Sequence, residues 1–183
     1  MEELSKHISK FFYYPEDMDN NKEYKKIPHI LIDKKGNIDT IIDSNKSSNF
    51  FGDKNIDKRS IFIVLENLGW LEKNPVKDRY TNWIGDTYKG KPFEKKWRAN
   101  FFWDVYTTDQ IKSCAKVIDY LCLKHNINKE FIGHNTKIEG VEKFEGITTK
   151  SNYSTYWNDV TPAFDFKELK IHLNEKQEEN INQ

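Results

Sequence analysis

Ser60-Ile61-Phe62-Ile63-Val64-Leu65-Glu66-Asn67 is the stretch on which the fold turns. Its β-branched and aromatic residues favour an extended strand, and both faces are apolar through Leu65. A strand of that kind belongs in the middle of a sheet covered on two sides, as in α/β proteins. Upstream, Ile27 to Asp33 and Asn37 to Asp43 are two more β-rich runs. Lys34-Lys35-Gly36 separates them, and its glycine can take the positive φ of a tight turn, so a hairpin is expected. Downstream, Thr107 is a good N-cap and Gln110, three residues later, completes a capping box. Ile111, Cys114, Ala115, Ile118, Leu121, Cys122 and His125 then form one helical stripe, with Asn126 as a left-handed stop.

The remaining segments are weaker. Leu4, Ile8, Phe11 and Phe12 follow a helical period that Pro15 ends, and Glu16 to Asn21 reads as a loop. Residues 69–103 are rich in Gly, Lys and Trp without a clear period, which predicts short strands and loops. Phe131-Ile132 predicts a short strand leading into a Gly133-His134-Asn135 turn, and residues 164–173 a last short helix. Residues 174–183 are polar and predicted to be a tail, leaving 1–173 as one domain. The expected architecture is a central mixed sheet of about five strands flanked by two or three helices.

Composition narrows the function. The chain has 183 residues, with 29 basic and 29 acidic side chains, so no net field favours nucleic acid or an anionic membrane. No apolar run reaches the ~20 residues of a membrane helix, and the N-terminus lacks the basic-then-apolar order of a signal peptide. Cytoplasmic synthesis is therefore expected, with access to a cell wall only after lysis or by delivery, or residence within a virion. Cys114 and Cys122 lie eight apart on the predicted helix, about 12 Å along its axis, too far for a disulfide. Buried reduced thiols are expected.

Of five histidines, His134 stands out because it follows a glycine at the end of a short strand, where its imidazole can project into a cleft. The bland alternative is a structural or exposed loop histidine. Trp83, Trp97, Trp103, Tyr153, Tyr156 and Trp157 pose the same choice between stacking on sugar rings or a protein partner and packing in the core.

Several motifs, in one order, resemble a known family. Pro28-His29-Ile30-Leu31-Ile32-Asp33-Lys34-Lys35-Gly36-Asn37-Ile38 is similar to the hairpin of N-acetylmuramoyl-L-alanine amidases, the fold of small phage lysozyme-amidases and peptidoglycan-recognition proteins. Residues 59–69 resemble that family's central strand, and Tyr106-Thr107-Thr108-Asp109-Gln110 the start of its long helix. Ile132-Gly133-His134-Asn135 resembles the turn carrying its second zinc ligand, and residues 158–166 its closing segment, whose acid is a ligand in many members. The resemblance implies peptidoglycan as substrate, zinc as cofactor and hydrolysis of the amide between the lactyl group and L-alanine. Such a zinc would hold a water, lower its pKa and polarise the carbonyl. Carried over, His134 and Asp159 are the ligand candidates.

The sequence departs from that pattern in three places. No histidine-rich strand precedes the hairpin; His7, on a predicted helix, is the one upstream histidine to serve as first ligand. Val64 occupies the position of the usual catalytic glutamate, and Glu66, on the same face about 7 Å further along, is the replacement base. Pro28 stands where a tyrosine is frequent. Three readings follow: an active zinc amidase; a catalytically inactive relative that binds peptidoglycan or joins phage structural proteins in a particle; and a generic α/β protein. The first requires the turn bearing His134 and the segment bearing Asp159 to face a common hollow.

Overall fold

A computed structural model describes residues 27–157 and 159–179. His7, the predicted first helix and the Glu16 to Asn21 loop lie outside the described residues. The fold is α/β, with a three-stranded and a five-stranded sheet and four α-helices among the described residues. The chain divides into two compact units. One comprises the described residues up to Leu31 with Asp39–Val64, and the other Ile32–Ile38 with Leu65 onward.

The three-stranded sheet runs in the order β2 (Ile38–Thr40), β1 (Ile30–Ile32), β3 (Ile63–Leu65). Asp33 N–H donates to Asn37 O and Ile41 N–H to His29 O, the antiparallel pattern of the expected hairpin. Ile30 N–H donates to Phe62 O and Glu66 N–H to Ile32 O, so these bonds advance the same way along β1 and β3, and the sheet is mixed. The middle strand is β1 rather than the 60–67 run. All three β1 residues are buried, whereas those of β3 are half-buried. In the first unit the His29 ring is wholly buried; its Nε2 bonds Lys46 O at 2.8 Å and its Nδ1 accepts Phe62 N–H at 3.0 Å. With both nitrogens used, His29 is a fastener for this unit. Also here, α1 (Lys54–Asp57) is capped by Asp53.

In the second unit, α2 (Thr108–His125) begins at Thr107 with the full capping box and ends at Asn126 in the left-handed region, φ 51°. It buries Ile111, Cys114, Ala115, Val117, Ile118, Leu121 and Cys122, and packs on α4 (Phe166–Glu179), which buries Leu169 and Leu173. Each such aliphatic side chain contributes roughly 1.5–3 kcal/mol by leaving water. The last helix thus runs past the predicted end at 173, through residues expected as tail. Both cysteines are free and buried, as their spacing required.

Gly36 explains how the hairpin tip sits on α2. Its φ is +79°, and a Cβ there would lie 2.7 Å from Asp109 O. Its own carbonyl accepts Ser113 Oγ at 2.7 Å, while Lys34 O accepts Thr107 Oγ1 at 2.8 Å.

Residues 70–103, expected as short strands and loops, build the five-stranded sheet, ordered β6 (Thr87–Tyr88), β5 (Arg79–Asn82), β4 (Trp70–Asn74), β8 (Asn100–Trp103), β7 (Phe93–Trp97). Every pairing is antiparallel, with a register shift between Glu94 and Trp97. Trp103 is wholly buried, and its indole N–H donates to Lys95 O at 2.8 Å. The excursion is closed at its root, where Asp104 N–H donates to Gly69 O at 2.9 Å.

Candidate functional site

His134 sits in the turn after Phe131, which makes a single parallel bridge to Ile147 in place of the predicted short strand. The residue is exposed. Its Nδ1 accepts the Thr136 N–H at 3.2 Å. That hydrogen bond places the proton of the neutral ring on Nε2, so neither nitrogen presents a lone pair outward; a metal-bound histidine instead donates from its second nitrogen. The imidazole borders an open cavity of about 570 Å³ whose walls include Phe131, Ile132, Ile138, Val141 and Phe144. Asp159 is not among its lining residues.

The backbones bearing His134 and Asp159 are nevertheless held side by side by α3 (Lys150–Tyr153). Asn152, wholly buried, uses its whole amide: Nδ2 donates to His134 O at 2.9 Å and Thr136 O at 2.8 Å, and Oδ1 accepts Thr149 N–H at 2.8 Å and Thr149 Oγ1 at 3.0 Å. Ser151, also wholly buried, donates from Oγ to Trp157 O and Asp159 O, and its N–H donates to Asp159 O at 2.7 Å. Asn135 Nδ2 completes the link by donating to Val160 O at 3.0 Å. Neither Ser151 nor Asn152 was singled out from the sequence. Thr149-Lys150-Ser151-Asn152 has an asparagine where a capping box has Glu or Gln, and its partners are distant in sequence.

Asp159 is exposed, but the protein crowded around its carboxyl raises its pKa, with Lys150 and Arg98 pulling the other way. Beside it Tyr106 is packed edge-on against Phe164, and its hydroxyl accepts Thr161 N–H at 3.3 Å. Burial pushes that phenol well above its ordinary value.

Glu66 lies just beyond the end of β3. Its Oε2 accepts Lys34 N–H at 3.0 Å, and its carbonyl accepts Gln110 Nε2 at 2.8 Å. Gln110 is wholly buried and also donates to Ile32 O at 3.3 Å. Glu66 thus clasps the hairpin tip to the helix start. Close by, buried Asp104 pairs with Lys34 at 2.7 Å and accepts Leu68 N–H at 2.8 Å. It also bonds Tyr88, whose phenol burial and this carboxylate push up to about 12.

Zinc needs at least three converging donors. Among the described residues no group of three His, Cys, Asp or Glu side chains could hold a metal. The described residues alone therefore do not fit the ion. Among them, no helix is long and apolar enough to cross a membrane.

The α/β fold agrees with the class of amidase-type hydrolases. A sequence profile of the N-acetylmuramoyl-L-alanine amidase family matches residues 7–146, well over half of the chain, and the chain belongs to that family. The match starts at His7, takes in Glu66 and His134, and stops short of Asp159. Membership makes this a peptidoglycan amidase-type domain. No curated relative and no solved structure matches the chain.

Proposed function

We propose that the chain binds peptidoglycan through the face formed by the His134 turn, α3 and the Asp159 segment, and does not cleave it. One observation carries this reading: His134 and Glu66, two of the side chains expected in the hydrolysis, are engaged elsewhere. The His134 ring takes the Thr136 amide, Glu66 takes the Lys34 amide, and Asp159 lies within the field of Arg98 and Lys150. Val64, at the place of the usual glutamate, agrees with it. A virus particle is a setting in which a wall-binding, non-cleaving domain of this kind would serve.

A second reading rests on the family match beginning at His7. In it His7 joins His134 and Asp159 as a zinc site, Glu66 is the base, and the chain hydrolyses the N-acetylmuramoyl-L-alanine bond. Both are tested by incubating the purified chain, with and without added zinc, with insoluble peptidoglycan. Binding predicts that the chain sediments with the wall and liberates no amino groups. Release of L-alanine amines that disappears in His134→Ala would overturn it in favour of hydrolysis.

A further inference from the structure

The β7 edge of the five-stranded sheet holds a concentration of charge that the zero net charge of the chain conceals. Residues 70–88, which build β4 to β6, are balanced: Lys73, Lys77 and Arg79 stand against Glu72, Asp78 and Asp86. Residues 89–96, leading into and along β7, are not, with Lys89, Lys91, Lys95 and Lys96 against Glu94 alone. All four lysines are exposed, and none forms an ion pair among the described residues. The same edge presents rings. Phe93 faces Trp103 across the β7–β8 pair, and Phe101, two residues from Trp103, shares its side of the sheet. Phe93 is 38% exposed and Phe101 49%, and Lys96 holds its Nζ 5.6 Å from the Phe101 centroid. Lysines also keep a bare edge from pairing with other strands, but an edge guard has no use for rings left open beside it. Such a surface suits a ligand that is both anionic and built of rings.

We propose that Lys89, Lys91, Lys95 and Lys96, with the rings of Phe93 and Phe101, form a docking strip for the stem-peptide carboxylates and sugar rings of peptidoglycan. The inference rests on wall binding as proposed above and extends it. The strip adjoins the face named there, because the β7–β8 turn reaches the segment before Asp159 through Arg98, whose Nη1 donates to Trp157 O. Peptidoglycan is a sparse polyanion, with carboxylates on its stem peptides set along a chain of neutral sugars. The charge distribution favours such a ligand over nucleic acid. Without the 89–96 run, the rest of the chain has three more acids than bases. A dense polyphosphate is repelled outside the strip, whereas a polymer with widely spaced carboxylates is not.

The test is sedimentation of the full chain with insoluble peptidoglycan freed of other wall polymers, and with the same material after its carboxylates are capped as amides. The intact wall is expected to bind about tenfold tighter at low ionic strength, from about twofold for each of the four exposed cations, and the margin should shrink as salt rises. Lys89→Gln, Lys91→Gln, Lys95→Gln and Lys96→Gln combined should abolish the margin, and arginine at the same four positions should keep it. Phe101→Ala should weaken binding to both walls by about threefold. Melting curves establish that each variant is folded. A glutamine variant that holds intact wall as tightly as the wild type does, or a wild type that holds capped and intact wall equally, would overturn the strip while leaving wall binding in place. So would single-stranded DNA that binds the wild type more tightly than soluble wall fragments do and is released by the glutamine changes. A wild type that sediments with neither wall would remove this inference together with the reading beneath it.

Discussion

Replacing Asn152 by alanine tests the join that sets His134 beside Asp159. The wild-type amide makes four hydrogen bonds from a wholly buried position. At about 1 kcal/mol net for each, their loss sums to about 4 kcal/mol. His134 and Thr136 are exposed residues, so water can reach their carbonyls once the side chain is gone. The expected cost is therefore about 2–3 kcal/mol, or about 4–12 °C in melting temperature for a chain of this size. Urea denaturation at 25 °C measures the first figure and a thermal scan the second. A local readout is available too: Ile138 N–H donates to Asn152 O at 2.9 Å, so amide exchange at Ile138 should accelerate more than in the interior of α2. Asn152→Asp keeps the acceptor for Thr149 but turns a second acceptor on two carbonyls, so it should be at least as damaging as alanine. An alanine variant that loses less than about 0.5 kcal/mol, or an aspartate variant milder than alanine, would show that α3 does not hold the two segments.

Other consequences can be checked alongside. Gly36→Ala should cost more than about 2 kcal/mol, because it adds a strained positive φ to a 2.7 Å clash with Asp109 O; near-wild-type stability would contradict the docking of the hairpin tip on α2. Burial pushes the Cys114 thiol up to about 12 and raises Cys122 as well, so neither should be alkylated by iodoacetamide in the folded chain at about pH 8, although both react in urea. Because the Asp159 carboxyl is raised, the folded chain holds that proton to higher pH than the unfolded chain does. Its contribution is thus fully present below the ordinary value of 3.8 and is lost as pH rises through the folded value. Asp159→Asn should accordingly melt above the wild type at neutral pH by a margin that closes on acidification, and a margin independent of pH would refute the assignment.

What could be read in advance was what the chain encodes locally. The helix at 108–125 announces both its ends, through Thr107 with Gln110 and through Asn126, and the hairpin announces its turn through Gly36. The five-stranded sheet carried no such marks. Its β4–β5 and β7–β8 turns place Asp78 (φ 40°) and Arg98 (φ 55°) in the left-handed region without a glycine, and the irregularity between Glu94 and Trp97 spoils the alternation of β7. The 60–67 run was recognisable as a strand, but its place at the side of β1 depends on pairing between distant segments. At the site, the glycine before His134 gave the turn away. The side chains that hold it, Asn152 and Ser151, act over 8 to 18 positions of sequence, where no periodicity reports them.

The root of the five-stranded sheet has a consequence of its own. Gly69 and Asp104 are joined by a backbone hydrogen bond and Leu68 N–H is held by the Asp104 carboxylate, so the chain leaves for the sheet and returns from it at almost the same place. An excursion with abutting ends can be swapped, trimmed or elaborated with little disturbance to the elements it interrupts. The five-stranded sheet is thus a detachable module, open to exchange while the hairpin and long helix keep their own contacts.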